Sequence, residues 1–161
     1  MNSSMRIVIL TAMLGALLLP VPGRTADTKD PLDGTWQLDV AKSTFRPGPA
    51  PKGQLRTYRI SDGVEKLTAR GVSADKMPTL VRYKARYDGK DYDITGSLGG
   101  DKISLRRIDA LTTESTQKRN GKAVIITTRK VSPDGKTLTV ISKGTTPDGQ
   151  ALDSIAHFDR H

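Results

Sequence analysis

Five turn signals punctuate this chain at near-regular intervals: Ser61-Asp62-Gly63, Asp88-Gly89-Lys90, Asn120-Gly121, Ser132-Pro133-Asp134-Gly135 and Thr146-Pro147-Asp148-Gly149. Asn-Gly and Asp-Gly accept positive φ at central turn positions and so close antiparallel hairpins. Pro before Asp-Gly presets φ for the first corner of a turn. The runs between them alternate apolar and polar side chains. Evenly spaced strands with short turns and no helical stretch predict an all-β fold, an antiparallel up-and-down β-barrel of roughly 8–10 strands. The strands are expected at 34–40, 54–61, 64–70, 79–87, 91–96, 102–109, 111–119, 122–132, 136–144 and 151–160. Pro47, Pro49 and Pro51 exclude a central strand from 41–53, which reads as a long loop over one end, with a helical turn at its start as one option. Residues 71–78 read as a second, shorter loop.

The first 26 residues stand apart. Arg6 precedes an uncharged, mostly apolar run from Ile7 to Leu19, broken by Pro20 and Pro22 and followed by Gly23, Thr25 and Ala26. This is the layout of a secretory signal peptide, with cleavage between about residues 23 and 26. The run is too short for a spanning helix, which needs about 20 apolar residues. Residues 27–32 read as a mobile linker, and 33–161 as the single barrel domain. The expected location is a bacterial periplasm or the secreted medium, and the expected state is a monomer.

Composition removes whole classes of chemistry. With no Cys there is no disulfide scaffold, thiolate zinc site or cysteine nucleophile. Both His lie among the last five residues, so a multi-His metal centre is not expected, and neither is a cofactor. His157 and Asp159 lie on an exterior strand face, a poor place for a water-excluded catalytic group, so no catalytic residue is assigned. Asp88, Asp91 and Asp93 form a cation loop too weak to support calcium, because Lys90 sits among them. Without the first 26 residues, 24 basic residues face 17 acidic ones, a formal charge of +7. Arg82, Lys84 and Arg86 form an outward stripe, to which Arg56, Arg59, Lys118, Arg119, Arg129 and Lys130 add. Such a surface favours anionic envelope components such as lipid headgroups. Nucleic acid is not expected as a partner, since the few aromatics are assigned to the interior.

The alternation also assigns faces. Trp36, Leu38 and Val40 point inward, as do Val81, Tyr83, Ala85 and Tyr87, then Leu138, Val140 and Ser142, then Leu152, Ser154, Ala156 and Phe158. Strand 102–109 is ambiguous between Ile103, Leu105, Arg107 and Ser104, Arg106, Ile108. Strand 122–132 is two-sided, with Val124 and Ile126 against Ile125 and Val131.

Asp33-Gly34-Thr35-Trp36-Gln37-Leu38 opens the domain and His157-Phe158-Asp159-Arg160 closes it. These ends resemble the opening Gly-x-Trp strand and the basic closing strand of the lipocalins and fatty-acid-binding proteins, the calycin barrels. The resemblance implies that Gly34 permits a tight entry, that Trp36 plugs the barrel floor, and that Arg160 stacks on its indole. Tyr87-Asp88-Gly89-Lys90-Asp91-Tyr92 and Ser132 to Val140 also resemble small secreted bacterial lipocalin-like proteins of unassigned role. Fatty-acid-binding proteins commonly clamp a carboxylate with Arg-x-Tyr on the final strand. The matching positions here are Ala156 and Phe158, so that specificity does not carry over.

Few large aliphatics and sixteen Thr after residue 26 leave room in the interior. The expected function is therefore a secreted protein that binds a small apolar or amphipathic molecule in a barrel cavity. Tyr58, Tyr83, Tyr87, Val140 and Phe158 are the candidate lining residues. Arg107 is the candidate interior cation, paired with a ligand carboxylate or with Glu114 or Asp109. The alternative is a filled barrel that docks on the envelope through its basic faces.

Overall fold

Every neighbouring pair of strands among the described residues is antiparallel, and the nine connections are hairpins or loops, the longest spanning residues 45–52. A computed structural model describes residues 29–161. The ten strands are β1 (Gly34–Thr44), β2 (Gly53–Ser61), β3 (Val64–Val72), β4 (Pro78–Arg86), β5 (Tyr92–Thr95), β6 (Lys102–Arg107), β7 (Thr112–Arg119), β8 (Lys122–Val131), β9 (Thr137–Thr145) and β10 (Ala151–Arg160). They pair in sequence order, and β1 then pairs with β10 to close the barrel. Closure removes both sheet edges, so no row of backbone donors is left to recruit another chain.

The tightest turns follow the local chemistry. Asp62-Gly63 and Asn120-Gly121 both carry positive φ at their two residues, 52° and 69° in the first, 51° and 75° in the second. That backbone twist matches the twist of the flanking strands, so β2–β3 continues in register from the turn, whereas β7–β8 shifts register between Gln117 and Lys118.

Odd-numbered strands run from a closed floor toward an open mouth, and even-numbered strands return. The floor holds the packed layer: Trp36, Leu38, Leu105, Val131, Leu138 and Phe158 are all buried. The mouth is framed by the loops 45–52, 73–77, 96–101, 120–121 and 146–150. The ladder is thinnest at β5, where two residue pairs join it to β4 and two to β6.

Two segments differ from the sequence expectation. β1 continues to Thr44 instead of stopping at Val40, and no helical turn follows it. A bulge separates Asp39↔His157 from Thr44↔Ile155. Asp39 accepts the Lys42 amide at 3.1 Å, and the Ser43 hydroxyl donates back to the Asp39 carbonyl at 2.6 Å. Local side-chain bonds thus hold the extra residues, and the strand resumes beyond them.

Residues 29–32 are not a free linker. Leu32 is buried, and its carbonyl accepts the Trp36 indole N–H at 2.9 Å. The Asp30 carbonyl accepts the Asp33 amide, and the Asp30 carboxylate pairs with Arg107. The polar look of the segment hid this, because Arg107 and Arg160, which hold Asp30 and the Pro31 carbonyl, lie far along the chain. The signal-peptide reading of 1–26 falls outside the described residues.

Candidate functional site

Between the packed floor and the mouth lies a cavity of about 440 Å³. This is within the range of roughly 300–1,000 Å³ usual for small-molecule sites. Its two walls differ in chemistry. Strands β3 to β6 contribute Leu67, Ala69, Val81, Ile94 and Ile103. Strands β7 to β9 contribute Ser115, Gln117, Thr127, Arg129 and Ser142, with Ile125 as their one apolar side chain in the lining. Thr127 and Ser142 share a hydrogen bond of 3.0 Å between their hydroxyls. A shallower hollow of about 680 Å³, lined by Pro49, Ala50, Lys52, Ser73, Ala74 and Asp75, lies outside the barrel between two mouth loops. No buried polar group converges on it, whereas several converge on the interior cavity.

The polar centre of the cavity is built on Glu65, which has no exposure. Its position in β3 follows from phase, since it alternates with Leu67 and Ala69 on the inward side. Glu65 pairs with the buried Arg129 guanidinium. Tyr83 donates its hydroxyl to the same carboxylate oxygen and Tyr87 to the other. Arg129 also donates to the Tyr83 oxygen at 2.9 Å.

A buried ion pair of this kind survives only when further hydrogen bonds satisfy it, and two phenols do so here. Burial, and after it the charge of Glu65, pushes both phenols above their usual value of 10.0. They are therefore proton donors at neutral pH. Burial alone would lower Arg129, but the charges around it, Glu65 first, outweigh that and hold the guanidinium charged.

The tetrad leaves some donors free. Arg129 Nε and Nη2 and the Tyr58 hydroxyl are buried with no hydrogen-bond partner among the described residues. Arg129 lies 5.4 Å over the Tyr58 ring, so these groups share one region of the cavity. A second guanidinium comes from β2. Arg56 lines the cavity, half-buried, 4.7 Å over the Phe158 ring, with its Nε donating to Gln54 Oε1 at 2.7 Å. It forms no ion pair among the described residues. Glu65 and Arg129 cancel, so the cavity carries one uncompensated positive charge.

The residues singled out from sequence are placed as follows. Tyr58 and Tyr83 line the cavity. Tyr87 sits just below, held by Glu65. Val140 and Phe158 point inward but lie in the packed core rather than at the cavity wall. Arg107 is on the inward side of β6, with Arg106 outside and paired to Glu114 at 2.9 Å. Yet Arg107 serves the floor: it stacks 4.5 Å over Tyr87 and pairs with Asp30, not with Glu114, Asp109 or anything in the cavity. Gly34, Trp36 and Arg160 meet at the floor. Arg160 lies 4.1 Å over the Trp36 ring and donates to the Asp33 carbonyl at 2.9 Å.

Arg56 and Arg129 were assigned to the outward basic surface, and both face inward. The period-two pattern carried the signal. Arg129 is in phase with Ile125 and Val131, and Arg56 with Tyr58 and Ile60. Charge overrode phase in that assignment. Glu65 was not singled out at all.

No protein-family model matches this chain, and no curated protein matches its sequence. Among solved structures, it is similar to the zebrafish ileal bile acid-binding protein complexed with cholic acid, with a TM-score of 0.53 and 12% identity. The match covers 81% of this chain and 99% of that one. The fold is a closed, ten-stranded antiparallel barrel like that of the bile acid-binding protein. In this barrel the resemblance seen at the two chain ends has a physical basis, because β1 and β10 are paired and Trp36 is opposite Arg160.

Proposed function

We propose that this barrel binds one small amphipathic molecule in its interior cavity. The cavity of about 440 Å³ is the observation that carries the reading. Its apolar wall would take the ligand's hydrocarbon surface, at roughly 25 cal/mol per Å² removed from water. Arg56, without an acidic partner, would hold a carboxylate. Arg129 and Tyr58 would donate to further oxygens on the ligand.

The similar zebrafish protein, with its bile acid, supports an amphipathic acid as the ligand class. Export to the periplasm or medium belongs to the same proposal and rests on the pattern of residues 1–26. A filled barrel acting only through its surface is the weaker reading, because the interior is not filled.

Titration with decanoate and with decan-1-ol, followed by calorimetry, tests this. Saturable binding near one per chain, tighter for decanoate, is expected. Arg56→Gln should remove the preference for the acid while leaving the alcohol bound. No saturable binding of either molecule, or of a polarity-sensitive dye, would refute the cavity reading.

A further inference from the structure

We propose that the outer wall of β2, β3 and β4 is a docking surface for an extended acidic polysaccharide. The inference concerns the outside of the barrel and does not depend on ligand binding within it. Alternation decides what this wall presents. Arg59, Lys66, Arg70, Arg82, Lys84 and Arg86 are all exposed, at outward positions of the three strands. The same strands hold one acid, Glu65, and it is buried on the inward side. Register lines the cations up. Arg59 stands directly opposite Lys66, and Lys66 directly opposite Lys84. Like charges facing each other across a ladder are destabilising, so this row costs the barrel stability. Within the set, only Arg59 forms an ion pair among the described residues, with Asp33 at 3.8 Å. Arg86 donates to a carbonyl, that of Asp62, at 3.2 Å.

The rest of the wall is arranged differently. On β6 and β7 each outward cation has its acid: Lys102 meets Asp93 at 2.6 Å, Arg106 meets Glu114 at 2.9 Å and Lys118 meets Asp91 at 2.8 Å. On β1 and β10 the outward charges are mostly acids, Asp39, Asp153 and Asp159, with Lys42 between the first and the third. On β8 and β9 the cations stand apart: Lys130 lies between Thr112 and Thr139, Lys143 between Ile126 and Asp153, and Lys122 sits at the β7–β8 turn opposite Arg119. The acids that border the cationic wall keep to its margin. Asp62 and Asp88 lie in turns at the floor end, and Asp93 on β5 is held by Lys102. A continuous face of one sign thus forms on β2 to β4.

The spacing on this wall selects the partner. Neighbouring strands are about 4.8 Å apart and alternate residues along a strand about 6.7 Å, so the row Arg59–Lys66–Lys84 and the column Arg82–Lys84–Arg86 form a grid fixed by the backbone. A stiff chain with one charge per sugar meets several of these points at once and loses little freedom of its own in doing so. Thr57 and Thr68, opposite each other beside the row, turn their hydroxyls to the same side and suit a partner rich in hydroxyls. The outward positions of the three strands carry no aromatic side chain, which removes the stacking that single-stranded nucleic acid uses. The exposed apolar residues of the face, Val72 and Leu80, lie at its mouth edge, so the row has none to insert into a bilayer.

Calorimetric titration of the full chain with polygalacturonate oligomers, and with neutral dextran of matched length, tests this. Binding to polygalacturonate alone is expected, weakening as salt rises. Lys66→Gln, Arg82→Gln and Lys84→Gln together should weaken it by about 10-fold or more. Lys122→Gln, Lys130→Gln and Lys143→Gln remove equal charge elsewhere on the barrel and should leave it nearly unchanged. The first triple variant should also unfold at a urea midpoint no lower than that of the unsubstituted chain, because Lys66 and Lys84 no longer oppose each other. Absence of polygalacturonate binding, or equal loss in both triple variants, would overturn the proposal. A lower midpoint would do so too, by showing that the cations serve the fold. So would tighter binding of oligo(dT) or of phosphatidylglycerol vesicles, or a dimer in sedimentation that the first triple variant abolishes. The face would then belong to a nucleic acid, a bilayer or a second copy.

Discussion

Gly34 and Arg160 occupy the same space at the barrel floor: a Cβ built on Gly34 would lie 2.4 Å from the Arg160 Nη1 atom. The φ of Gly34 is 148°, a region that L side chains rarely adopt. Removing one side chain from β1 lets the guanidinium of β10 lie flat over Trp36 and reach the carbonyls of Pro31, Asp33 and Gly135. Gly34→Ala should therefore cost about 1–3 kcal/mol through strain and displacement of Arg160. Urea unfolding measures it, and a midpoint equal to that of the unsubstituted chain would show that Arg160 can move at no cost.

Trp36 is the only Trp in the chain and is fully buried. Its emission should be blue-shifted and resistant to iodide quenching. Trp36→Ala should destabilise by about 3–5 kcal/mol, the range for large aromatic truncations in a core. Emission like that of indole in water would contradict the packed floor.

Breaking the buried pair is costly because one charge is then stranded. Glu65→Gln and Arg129→Met should each cost about 3–5 kcal/mol. The double variant should cost clearly less than their sum, since neither charge is left without its partner. Additive losses in chemical denaturation would mean that the two side chains are not coupled.

Alkali should act through the same cluster. Tyr83 and Tyr87 hold their protons above the usual value of 10.0, whereas the unfolded chain releases them near it. The unfolded state therefore binds fewer protons once pH passes about 10, and stability falls as pH rises from there. Absorbance at 295 nm should show these two phenols ionising only with unfolding. Free titration of all four tyrosines in the folded chain near pH 10 would contradict the buried cluster.

Arg107→Met separates floor from cavity. Loss of the half-exposed pair with Asp30 and of the stacking on Tyr87 should cost roughly 1–2 kcal/mol. Decanoate affinity should not change, because Arg107 lies outside the cavity lining. Reduced affinity with unchanged stability would move Arg107 into the ligand site.

The strand list was legible because it rests on local chemistry. Positive φ at Asp62-Gly63 and Asn120-Gly121 is written into those dipeptides, and the alternation of Val81, Tyr83 and Ala85 against Arg82, Lys84 and Arg86 reports which face meets the core. Closure by β1 and β10 could be inferred only through the resemblance of the chain ends, since no local rule pairs Trp36 with Arg160. Facing was legible where one side was plainly apolar. It failed at Arg56 and Arg129, where a charge stood at an inward phase and was taken for surface.

The sequence by itself determined an antiparallel array of roughly 8–10 strands, because turn geometry and side-chain alternation act over a few residues. Tertiary structure alone decided which interior charges are cancelled. Glu65 meets Arg129 across 64 positions of chain, and Asp30 meets Arg107 across 77. Those pairings depend on where a closed barrel brings distant strands together, and they leave Arg56 as the one cavity cation without an acid among the described residues.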